Sequence, residues 1–219
     1  MYIKNIMLLK NMKFLKIYLT IISAVTIILI QGCAFTTRKP PKTATHIDKP
    51  RFLGRWYEIA SVPSFYQAGC ECTTGDYYED VTLLTTAPVI KVHNKCYDSN
   101  QKHFKSAHGK VFITKGTGNA KLKIEFFWPF REDYWILYAD PENPEDKTHT
   151  YQTTIIATPD YKYMWILART PTVPLEKQKQ LFNIAKSRGY NINKLKLTSQ
   201  HCFSKTYQKA PTPGNNQGH

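Results

Sequence analysis

Gly54-Arg55-Trp56-Tyr57-Glu58-Ile59-Ala60 opens the folded part of this 219-residue chain, and its reading decides the fold. Glycine in a strand marks a bend or a close backbone approach. The tryptophan two residues on is the largest apolar side chain and needs a deep slot. Large apolar and polar residues then alternate. The run predicts a first strand with a sharp entry, plugging one end of a barrel.

Downstream, short strand-like runs alternate with turn residues. They fall near 54–62, 73–84, 88–97, 104–115, 121–129, 133–140, 151–158 and 163–169. That rhythm fits an antiparallel barrel or sandwich. In Lys121–Trp128, Leu122, Ile124, Phe126 and Trp128 share one face and Lys121, Lys123 and Glu125 the other, so one face is dry and one wet. In Phe104–Ile113, Ala107, Gly109, Val111 and Ile113 share a face, where small residues leave room or belong to an ordinary close-packed core. One helix is expected between Thr172–Pro174 and Gly189, with an apolar stripe of Leu175, Gln178, Leu181, Phe182 and Ala185. A short last strand is expected at Lys194–Thr198.

Upstream, residues 1–32 carry four lysines and no acid, and the apolar run Ile17–Ile30 is 14 residues long. A membrane-spanning helix needs about 20, so the length and flanks predict a secretory signal peptide, with Met12 a plausible start. The run ends Leu29-Ile30-Gln31-Gly32-Cys33, which resembles a bacterial lipobox. By that resemblance Cys33 becomes the first mature residue and carries a diacylglyceryl thioether and an N-acyl chain. Several acyl chains meet the requirement for stable anchoring. Ala34 after it implies outer-membrane sorting. Residues 33–50 then form the lipidated cysteine and a flexible tether rich in Pro, Thr and Lys. The folded domain is 51–206, and 207–219 is a loose tail.

The net charge is +14, of which the signal peptide holds four, leaving about +10 in the mature chain. A basic, exported, lipid-tethered chain lies against anionic head groups. The export signal and the scatter of the lysines exclude nucleic acid as a partner. Four cysteines besides Cys33 imply disulfides among three possible connectivities. Cys70-Glu71-Cys72 has no further His or Cys at zinc spacing, so no metal is expected. No nucleophile elbow, H-E-x-x-H or phosphate loop is present, and Gly116-Thr117-Gly118 reads as a turn. His93, His103 and His108 read as surface or lining residues.

Several blocks together resemble the lipocalins, most closely their bacterial outer-membrane lipoprotein branch. Gly54–Ala60 resembles the first signature, and Phe126-Phe127-Trp128-Pro129-Phe130 the F-F-x-P-F segment. Tyr134–Asp140 resembles the second signature and Trp165–Pro171 the third. Tyr151 resembles the tyrosine that follows Asp140, here after ten extra residues, 141–150. The resemblance implies an all-β fold: an eight-stranded antiparallel up-and-down barrel with one C-terminal α-helix packed outside and a short final strand. It implies that Arg169 packs across Trp56, beside Gly54, to close the lower end. It favours disulfides Cys70–Cys96 and Cys72–Cys202, with Cys70 and Cys72 exchanged as the alternative.

The function implied is binding of a fatty acid or lysophospholipid inside the barrel, by a monomer or homodimer without cofactor. The membrane is met through Cys33, at the outer membrane facing the periplasm. The candidate lining is Val111, Ile113, Leu122, Ile124, Phe126 and Trp128, with Tyr134 and Tyr138 at the mouth. Fourteen buried methylenes at about 0.8 kcal/mol each give at most roughly 11 kcal/mol, reduced by the costs of association. Two other readings are an enzyme of this fold acting on a lipid or isoprenoid, and an envelope adaptor whose barrel is filled.

Overall fold

The computed structural model describes residues 38–80, 89–141 and 150–203. The expected signal peptide 1–32, Cys33, the expected tail 207–219 and most of the extra residues 141–150 lie outside those residues. The unit that begins at Pro40 holds all the elements below.

Eight strands follow one another: β1 Gly54–Val62, β2 Cys70–Asp80, β3 Val89–Asp98, β4 His103–Ile113, β5 Lys121–Phe127, β6 Phe130–Asp140, β7 Thr153–Ala157 and β8 Met164–Ala168. Each pairs antiparallel with the next, β8 returns to β1, and β1 also pairs with β2. The sheet is therefore a closed barrel, which removes the exposed edges an open sheet leaves. A ninth strand, β9 Lys196–Leu197, adds outside on β1 at Ala60–Ser61. It is shorter than the expected 194–198 because Ile192–Lys194 forms a 3₁₀ turn. β1 thus changes partner along one edge. Gly54–Tyr57 pair with Tyr77–Thr74 of β2, and above that point β1 and β2 separate and β9 takes over.

Two apolar clusters follow from the two faces of the sheet. Trp56, Tyr77, Val92, Val111, Leu122, Ile124, Tyr134, Ile136, Ile156, Trp165 and Leu167 point inward. Leu137, Tyr138, Ile155, Met164, Ile166 and Ala168 point outward and are covered by helix α2, Leu175–Ser187, through Leu181 and Ala185. β7 and β8 are buried on both faces, so all five residues of each are buried and period-2 alternation fails there. Leu175, expected on the helix's apolar stripe, is 61% exposed at its first position. Among the described residues no helix is long and apolar enough to cross a membrane.

One end is closed by the short helix α1, Lys49–Phe52, capped by the Asp48 carboxylate on the Arg51 N–H. The stretch before it is not a free tether along its whole length. The Ala44 N–H donates to Ile136 O at 3.0 Å, the Ile47 N–H donates to Gly118 O at 2.7 Å, and the Ile47 side chain is buried in the inner cluster. A β-carbon on Gly118 would stand 2.0 Å from Thr45 O, so only glycine lets this segment cross the β4–β5 turn. Trp56 Nε1 donates to Phe52 O at 2.9 Å, and the Arg169 guanidinium lies 3.8 Å over the indole. Arg169 also donates to main-chain oxygens of Arg51, Phe52, Leu53, Arg55 and Tyr151 at 2.8–3.1 Å. Burial pulls its pKa down to about 10, which leaves it a cation at neutral pH. Gly54 has φ +98°, and a β-carbon there would stand 3.3 Å from Arg169 Nη1.

Candidate ligand-binding site

The open end lies opposite α1, where the connections 63–69, 99–102, 128–129 and 158–163 emerge. Five of the expected lining residues meet in the interior. Val111, Leu122 and Ile124 are buried there, and Ile113 and Phe126 pack against them. The Phe126 ring lies over Gly109, where a β-carbon would stand 3.0 Å from it. The room left by that glycine is therefore filled by a neighbouring strand. Tyr134 is also interior, below the mouth.

Two expected residues are elsewhere. Trp128 is 83% exposed in the β5–β6 turn, because the register shifts between Ile124 and Phe127 and breaks the alternation that aligned it with Leu122. Tyr138 faces α2. Ile136 pairs with Ile156 but Tyr138 with Ile155, so Leu137 is an extra residue and the side chains after it exchange faces. His93 and His108 stack 4.1 Å apart across β3 and β4, on the face opposite Val92 and Gly109.

The fold brings in residues that the sequence reading did not single out. Tyr77 and Tyr134 hydroxyls meet at 2.9 Å inside the barrel. Burial pushes Tyr77 up to about 12 and Tyr134 well above its ordinary value, so both stay neutral. Two phenols use one proton in their mutual bond, and the other O–H can turn to a ligand oxygen. Trp165 lies against Tyr134, with ring centroids 5.4 Å apart. At the mouth, Lys105 donates to Asp98 at 3.0 Å. That ammonium, with the Gln101 and Asn100 N–H groups, holds the Asp98 carboxyl below its usual range.

Glu58 is a second buried acid of the site. It accepts from Ser61 Oγ at 2.9 Å, Thr198 Oγ1 at 2.5 Å and Gln67 Nε2 at 3.1 Å. Burial raises its pKa, and the three donors oppose that rise. Gln67 also accepts from Trp165 Nε1 at 3.1 Å, which ties the connection 63–69 to the barrel wall. The phenol of Tyr66, in the same connection, is raised by burial and by Glu132, Tyr163 and Glu58 nearby. Where β1 and β2 separate, a cavity of about 260 Å³ opens beside Glu58, lined by Ser61, Gln67, Cys70, Thr198 and Ser199. Cys70 is bonded to Cys96, joining β2 to β3 at this end, and Cys72 to Cys202, holding the last described residues on β2.

Glu58 was legible as an inward residue, because it lies two positions after Trp56 on one strand. Tyr77, Asp98 and Lys105 had no local signal, since their neighbours come from other strands.

The fold and these residues are those of a known family, for the model of the lipocalin-like domain matches residues 47–200. The chain belongs to the lipocalin family. It is similar to outer membrane lipoprotein Blc of Citrobacter freundii, 34% identical over 181 residues, which cover 81% of this chain and 94% of that one. It is also similar to temperature-induced lipocalin-1 of Arabidopsis thaliana, 33% identical over 172 residues, covering 75% and 86%. Among solved structures, insecticyanin from the tobacco hornworm Manduca sexta shares the fold at TM-score 0.55 and 19% identity, covering 79% of this lipocalin and 88% of that chain.

Proposed function

We propose that this lipocalin is anchored by lipid on Cys33 to the outer membrane, faces the periplasm, and binds a fatty acid or lysophospholipid inside its barrel. The observation that carries this reading is the gradient of chemistry along the interior. The wall of Val111, Leu122 and Ile124 is apolar, the Tyr77–Tyr134 pair offers one proton, and the Asp98–Lys105 pair stands at the mouth. An acyl chain gains about 0.8 kcal/mol per methylene moved from water to such a wall. A head group left at the mouth keeps its solvation and meets Lys105. The outer-membrane name carried by the Citrobacter relative supports the location. The role in this reading is carriage or storage of the ligand.

Trp165 beside Tyr134 reports on occupancy. Titration of the purified protein with palmitate and with a single-chain lysophospholipid should give saturable changes in tryptophan emission, at micromolar affinity or better. A linear, non-saturating response to both ligands overturns the reading.

A further inference from the structure

The last described residues of the chain are folded back onto β2. The Cys72 N–H donates to Ser199 O at 2.7 Å, and Gln200 Nε2 donates to Glu58 O and Thr73 O at 2.7 and 2.9 Å. The Cys202 N–H donates to Cys72 Sγ at 3.2 Å. His201 sits between the two sulfurs of the disulfide and an acid. Its Nε2 is 3.5 Å from Cys202 Sγ and 3.9 Å from Cys72 Sγ. Its Nδ1 is 3.3 Å from Glu71 Oε2, 3.1 Å from Ser199 Oγ and 3.8 Å from Cys72 Sγ. One ligand atom from each of Cys72, His201 and Cys202 lies within 4.8 Å of the others.

We propose that reduction of the Cys72–Cys202 disulfide turns this cluster into a zinc site, with Cys72, Cys202 and His201 as ligands and Glu71 orienting the imidazole. Tetrahedral zinc holds sulfur at about 2.3 Å and nitrogen at about 2.0–2.1 Å, which sets each nitrogen–sulfur separation near 3.6 Å. The distance from Nε2 to Cys202 Sγ, 3.5 Å, is already near that value. Cys72 Sγ stands 3.8 and 3.9 Å from the two ring nitrogens and so lies beside the ring, and the site forms when the sulfur–sulfur bond breaks and the imidazole turns Nε2 toward both sulfurs. A carboxylate on the far ring nitrogen is the usual partner of a metal-binding histidine, because it fixes the tautomer and raises the basicity of the other nitrogen. On Nδ1 that place is shared by Ser199 Oγ at 3.1 Å and the Glu71 carboxylate at 3.3 Å. The Cys202 N–H on Cys72 Sγ favours the thiolate form that metals bind. The fourth position is left for water.

The chemistry balances in two steps. A dithiol reductant gives two electrons and two protons to the disulfide, yielding two thiols and its own disulfide. Zinc then binds both sulfurs and the Nε2 lone pair and releases the two thiol protons to solvent. The result is one clasp in two forms. Disulfide or zinc, it keeps residues 199–203 across the opening where β1 leaves β2, beside the 260 Å³ cavity. No single window of the chain contains such a set, because Cys72 and Cys202 are separated by 130 residues and only the fold joins them.

The test uses the full chain carrying Cys70→Ala and Cys96→Ala, so that only the proposed thiols remain in the domain. Cobalt(II) is the probe for the reduced and oxidised forms, and zinc is then used in competition with a chromophoric chelator. The expected result is one metal per reduced chain, with thiolate-to-cobalt absorption, and none per oxidised chain. His201→Gln should weaken zinc binding at least tenfold, and Glu71→Gln about 10- to 100-fold. If reduction alone unfolds the protein, zinc should restore its near-ultraviolet circular dichroism. Equal metal uptake by the oxidised chain, unchanged affinity in both variants, or no recovery on adding zinc to an unfolded reduced chain overturns the proposal.

Discussion

Replacing Arg169 by alanine should cost this lipocalin about 2–5 kcal/mol of stability. The guanidinium stacks 3.8 Å from the Trp56 ring, a contact worth about 0.5–2 kcal/mol depending on burial. It also donates to five main-chain oxygens, three of them at Arg51, Phe52 and Leu53, where α1 ends and β1 begins. A bond from a charged donor contributes about 1.5–3 kcal/mol, and water reaches part of this end and replaces some of them. One such bond left unreplaced, with the lost ring contact, gives about 2–5 kcal/mol. Arg169→Lys should recover less than half, because an ammonium has three donors and no plane to lie on the indole. Urea unfolding followed by circular dichroism measures both changes, and for a domain of this size each kcal/mol is about 2–4 °C in Tm. A cost below about 1 kcal/mol for the alanine variant, or a lysine variant as stable as the parent, would refute the view that Arg169 closes the barrel.

Three further outcomes follow, two from the interior and one from the exposed β5–β6 turn. Tyr77→Phe or Tyr134→Phe alone should cost about 1–3 kcal/mol, because each strands a buried hydroxyl, whereas the double variant should be nearer neutral; a double-mutant cycle in urea checks the coupling. Glu58 has its folded pKa raised by burial, so the stability it contributes is full below the unfolded carboxyl value and is lost as pH rises through the folded value. Glu58→Gln should therefore gain stability relative to the parent as pH rises above the ordinary carboxyl range; denaturation at several pH values reads this, and a constant difference counts against it. Trp128→Ala, at an 83% exposed turn, should change stability by less than about 0.5 kcal/mol and leave acyl-ligand affinity in place.

Most of the fold was legible because its signals are local. Strand β1 was expected over 54–62 and spans Gly54–Val62. The helix was bracketed by Pro174 and Gly189 and spans Leu175–Ser187. Much of the site was not, for two physical reasons. Period-2 reasoning holds only while the register holds, so the extra residue at Leu137 turned Tyr138 to the helix and the shift after Ile124 released Trp128. The second reason is distance along the chain. The partners of Glu58 come from Ser61, Gln67 and Thr198, and the mouth pair joins β3 to β4, so no single window shows either. The role of Ile47 was hidden because a lone isoleucine in a Pro- and Lys-rich stretch gives no periodicity, yet the barrel end needs a cover.

The most direct test of ligand binding inside the barrel is methyl NMR during titration with a lysophospholipid below its micelle concentration. The methyls of Val111, Leu122 and Ile124 should shift in a saturable way, while those of Ile155, Ile166 and Leu181 under α2 should stay nearly still. Shifts confined to the helix side, or no saturable shift of the inner methyls, would contradict the account.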